Sequence, residues 1–133
     1  MTTITLTDQD KSTIRTAAYG AVSLLAAAGA PHKGISRASI ALTSSTGLVG
    51  HVLSAKSKDI HLPGRTVADL ADHVLPALTA AMTILAAHSP AEADNFRTTV
   101  LVALESATQP HRRHPGPVLT AMVNKITEAL DRA

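Results

Sequence analysis

The sequence contains no cysteine and no tryptophan, and Tyr19 and Phe96 are its only aromatic residues. Without cysteine there is no disulfide framework, no thiolate nucleophile and no Cys-based zinc or iron–sulfur site. Without aromatics the core has to be aliphatic, assembled from Ala, Leu, Val, Ile and Met. Such side chains suit closely packed helices better than a sheet sandwich, which draws on aromatic and β-branched residues. The same shortage removes the stacking platforms on which single-stranded nucleic acid lies. An excess of one charge is missing too. The formal net charge is +2, small for a nucleic-acid binder, although the pI near 9.3 keeps a basic patch in view. A nucleic-acid partner is not expected.

Targeting signals are also wanting. The opening residues, MTTITLTDQDKSTIR, have neither the basic nor the apolar segment of a secretory leader. The longest apolar run, AVSLLAAAGA at 21–30, is too short to span a bilayer. A cytoplasmic protein with no membrane partner is the expectation.

What the chain does have is hydrophobic content of 45% over 133 residues, enough to bury one core in one domain. Its pattern is helical. Thr7 caps a first helix with Asp8 and Asp10 in the opening turn, where the macrodipole favours negative charge. Ile14, Ala18, Val22 and Leu25 recur at helical spacing, and Gly29 before Pro31 stops the helix. Between Ala17 and Ala28 only Tyr19 and Ser23 are polar, so this helix is expected at the centre of a bundle or in a subunit interface.

A second helix is expected over about 36–57, with Ile35, Ala38, Leu42, Ser45, Val49 and Val52 inward and Arg37, Ser44, His51 and Lys58 outward. Gly47 and Gly50 would mark a close helix crossing. A third follows Thr66 with Val67, Leu70, Ala71, Val74, Leu78, Met82 and Leu85 inward and Pro76 inside it, which takes the helical partner from the Asp72 carbonyl. Ser89, Pro90 and Glu92 spell a capping box for a fourth helix carrying Phe96, Val100, Ala103, Leu104 and Ala107. Pro117 opens a fifth, with Leu119, Met122, Ile126 and Leu130 inward. No stretch alternates long enough for a strand. The fold expectation is an all-α antiparallel bundle of about five helices in a single domain.

The most chemically loaded stretch is QPHRRHPGP at 109–117. In an antiparallel bundle it returns to the same pole as the 58–66 loop, bringing His61, Arg65, His111, Arg112 and Arg113 to helix N-termini that favour anions. Asp8, Asp10, Asp59 and Asp69 at that pole would offset the field, so the favoured reading of the loop is a solvated connection whose cations cover the carbonyl end of the preceding helix, with an anion or acidic-partner site as the alternative. A metal set of Asp59, His61, His111 and His114 is a weaker alternative, since two arginines separate its paired histidines. Neither an HExxH nor a Glu-x-x-His pair occurs, and there is no GxSxG elbow, Ser-x-x-Lys or Gly-rich phosphate loop. Asp69 and His73, four apart, read as a surface ion pair rather than a catalytic dyad, and His88 as a partner for its helix's C-terminal dipole. The hydroxyls of ALTSSTG at 41–47 are expected to bond back to carbonyls or line a helix crossing, with an internal cavity facing Ser45 as the lesser alternative.

No catalytic residue or cofactor is therefore assigned. The expected role is a non-enzymatic interaction or scaffold module, self-associating as a homodimer, because one short chain has little room to cover an all-round apolar helix. A bundle binding a small anionic ligand or an acidic protein surface at the basic pole is the first alternative, and a metal-dependent enzyme the second.

Overall fold

The structure, a computed structural model, describes residues 6–54, 66–108 and 116–132. All its regular secondary structure is helical, in six helices packed against one another: α1 (Asp8–Ala27), α2 (His32–Thr43), α3 (Gly47–Ser54), α4 (Val67–His88), α5 (Pro90–Thr108) and α6 (Pro117–Asp131). No strand occurs among the described residues.

Helix α1 begins with a reciprocal cap: Thr7 Oγ1 accepts from the Asp10 N–H at 3.0 Å, and the Thr7 N–H donates to Asp10 Oδ2 at 3.1 Å. It ends in a Schellman turn. The Ala30 N–H reaches back to the Leu25 carbonyl and the Gly29 N–H to Ala26, with Gly29 at a φ of 107° that only glycine adopts freely. Between these ends α1 touches every other helix. From Ala17 to Leu25 its apolar surface is covered by the chain itself, with Ala26 and Ala27 exposed at its end, so the feature that argued for a subunit interface is largely spent inside the fold.

The expected second helix is two. The chain leaves helical geometry after Thr43 and re-enters it at Gly47, whose φ is 71°. Ser44 to Thr46 bend the chain there, and Ser45 Oγ donates back to the Leu42 carbonyl at 2.7 Å, as expected of a hydroxyl in this stretch. Gly50 is needed for this bend, because a Cβ on it would collide with the Ser45 carbonyl oxygen. The close helix crossing falls elsewhere, at Gly34. A Cβ there would overlap the Ala107 carbonyl oxygen and lie 2.9 Å from its carbonyl carbon. Gly34 beside Ala107 and Thr46 beside Asn95 set α2 and α5 antiparallel.

The remaining inward seams are as the spacing predicts. Val74, Leu78, Met82 and Leu85 of α4, Phe96, Val100, Ala103, Leu104 and Ala107 of α5, and Leu119, Met122, Ile126 and Leu130 of α6 are buried. Val67 is the exception, exposed in the first turn of α4. Thr66 caps α4 by accepting from the Asp69 N–H at 3.1 Å. Two polar ties join α6 to its neighbours. Thr79 Oγ1 of α4 donates to the Ala129 carbonyl at 2.6 Å, and the Arg97 guanidinium of α5 grips Asp131 at 2.7 Å.

Candidate functional site

The expected basic pole and its metal alternative fall on residues 59, 61, 65, 111, 112, 113 and 114, all outside the described residues. Among the described residues no cluster of three or more His, Asp or Glu side chains could hold a metal ion. Asp69 and His73 are exposed on α4 and do not pair. His88 is the last residue of α4, as expected, but its Nδ1 is buried without a hydrogen-bond partner among the described residues.

The expected box at the start of α5 is also redirected. The Glu92 N–H bonds to the Ser89 carbonyl, while the Glu92 carboxylate reaches across to α3. There Oε1 accepts from the Val49 N–H at 3.1 Å, and Asn95 Nδ2 donates to the Thr46 carbonyl at 2.8 Å. At the other end of α3, Arg15 Nε donates to the Val52 carbonyl at 3.0 Å and Tyr19 Oη to the Leu53 carbonyl at 2.6 Å. A carboxylate thus meets the positive end of the α3 dipole and a guanidinium its negative end. Burial pushes the Tyr19 phenol above its ordinary value of 10.0, partly offset by the Arg15 charge. These groups are committed to holding an eight-residue helix that could not persist alone.

Two surface features are left uncommitted. The first is the outer side of α4. From Val74 to Ala87 the helix carries no charged residue, yet Pro76, Ala80, Thr83, Ala86 and Ala87 are exposed. By length and composition α4 could cross a membrane, and only 33% of its most apolar 18-residue stretch is buried. An uninterrupted apolar run does not reveal this helix, because Pro76, Thr79 and Thr83 break the run without adding charge.

The second feature is a groove of about 690 Å³ between α4 and α6. Ala71, Leu75, Pro76 and Ala129 make its apolar lining, and the Thr79–Ala129 hydrogen bond ties its walls together. Of its charged groups, Arg132 and Glu128 pair with each other at 3.1 Å along α6. Asp72 on α4 and Lys125 on α6 remain without an ion-pair partner among the described residues. Sequence reasoning singled out Pro76 but not Lys125, because nothing in their spacing says that these two helices flank one cleft.

No protein-family model, no curated protein and no solved structure matches this chain, so its own residues carry the functional reading.

Proposed function

We propose that the chain is a non-enzymatic interaction module that pairs with a second copy of itself through the outer face of α4. The observation that carries this reading is the uncharged stretch Val74–Ala87, which leaves Ala80, Thr83 and Ala87 exposed at successive turns. Helices apolar all round are ordinarily covered all round. Helix α1 obeys that rule within the chain, and α4 does not. Small side chains in a row let two such helices approach closely, and the symmetric arrangement gives each copy the same complementary surface. The dimer expected from α1 is therefore re-sited on α4.

Sedimentation velocity of the untagged full chain at tens of micromolar tests the proposal. The wild type is expected to sediment as a dimer, and an Ala80→Glu/Thr83→Glu double variant as a monomer of unchanged helicity. A wild type that stays monomeric overturns it. Co-sedimentation of such a monomer with phospholipid vesicles would assign the α4 face to a bilayer instead. A variant that remains dimeric would place the interface on another face and equally overturn the α4 assignment.

A further inference from the structure

Beyond self-association, we propose that the α4–α6 groove binds an apolar zwitterion the size of a short peptide with free ends. Its ammonium group would lie at Asp72 and its carboxylate at Lys125. The volume, about 690 Å³, is that of an open cleft large enough for a small molecule. The lining by Ala71, Leu75, Pro76 and Ala129 offers an apolar body something to cover. Charge then selects the ends. The Glu128–Arg132 pair satisfies itself along α6. That leaves one carboxylate on the α4 wall and one ammonium on the α6 wall, and these do not meet each other.

A ligand carrying a single charge would answer one wall and leave the other unmatched. A ligand with both, separated by an apolar body, answers the two walls at once. Pro76 also lines the α4 side. Lacking an N–H, it cannot return the helical hydrogen bond to the Asp72 carbonyl, so the ladder is broken at two residues that both line the groove. The groove shares Leu75, Pro76 and Thr79 with the uncharged stretch of α4, but Ala80 and Thr83, the positions changed in the dimer test, do not line it, so the two proposals are tested by different variants.

The experiment is a chemical-shift titration of the uniformly ¹⁵N-labelled full chain with leucyl-leucine, taken into the millimolar range. Saturable shifts are expected at the amides of Leu75, Thr79 and Ala129. Asp72→Asn and Lys125→Gln are each expected to weaken binding about two- to fivefold, the upper part of the scale for an exposed charge contact. Both residues are exposed, so melting temperatures should stay at the wild-type value and report that the fold is intact. N-acetyl-leucyl-leucine amide, which has neither charge, is expected to bind more weakly still. Absence of saturable shifts overturns the proposal. So does equal binding of the blocked peptide, or equal binding by both variants, since either result would leave the two charges without a role.

Discussion

Gly34→Ala is expected to destabilise the protein, against the usual sign of such a change. In an exposed helix, replacing glycine by alanine stabilises by about 1 kcal/mol, since alanine restricts the unfolded chain and is the better helix former. Gly34 is buried in α2 where that helix crosses α5. An added Cβ would overlap the Ala107 carbonyl oxygen, with the carbonyl carbon at 2.9 Å and Cα at 3.1 Å. Non-bonded carbons rest at about 3.5–4.0 Å, so the two helices must separate by roughly 1 Å at this point. Overpacking usually costs about 1–3 kcal/mol. The upper end applies here because the obstructing atoms belong to a backbone and cannot turn aside. Subtracting the propensity gain leaves a net loss of about 2 kcal/mol. An unfolding entropy of roughly 2.1 cal/mol/K per residue over this length converts that to a fall of about 7 °C in Tm. Thermal unfolding followed by circular dichroism reads it directly. Ala107→Gly should give no rescue in the double variant, because it removes a side chain and leaves the colliding oxygen in place. A Gly34→Ala variant as stable as the wild type, or rescued by Ala107→Gly, would refute the reasoning.

Two further outcomes follow from the ends of α3. Glu92→Ala should cost about 1.5–3 kcal/mol, the worth of a charge-assisted hydrogen bond, and Glu92→Gln distinctly less, because the amide oxygen can still accept from Val49; urea midpoints of the two variants at constant m-value check this. Tyr19 supplies an alkaline limit. Its folded pKa is raised, so the contribution of its bond to Leu53 is complete below 10.0 and fades as pH climbs through the higher folded value. Tyr19→Phe should cost about 1 kcal/mol at neutral pH and lose less stability than the wild type between neutral and strongly alkaline solution, as measured by denaturant titration across that span.

The inward seams were legible because each depends only on spacing within one helix. Ile14, Ala18, Val22 and Leu25, and likewise Leu119, Met122, Ile126 and Leu130, sit on one stripe whichever neighbour covers them. The stop at Gly29 was legible for a similar reason, since a left-handed residue before Pro31 can do little else. The break at 44–46 was carried by TSSTG, a run of small hydroxyl side chains ending in glycine. Those same residues tolerate a helix interior, and the continuous seam on either side outweighed them. Glu92 and Arg15 were not legible. Their partners Val49 and Val52 stand 43 and 37 positions away, and only the packed fold brings them together. The groove was hidden for the same reason, because Asp72 and Lys125 belong to helices whose pairing no local pattern announces.

The two-ended clamp on α3 has a consequence for chain direction. A helix of two turns with apolar residues at Leu48, Val49, Val52 and Leu53 could fill much the same space lying head to tail or reversed. Packing alone barely distinguishes the two. Glu92 and Arg15 do, for reversal would press a carboxylate against carbonyl oxygens and a guanidinium against N–H donors. The polarity of this segment is thus written on two other helices, like the keyed pins of a connector. Those pins sit on α1 and α5, so the seat of α3 is complete only where both of those helices are packed.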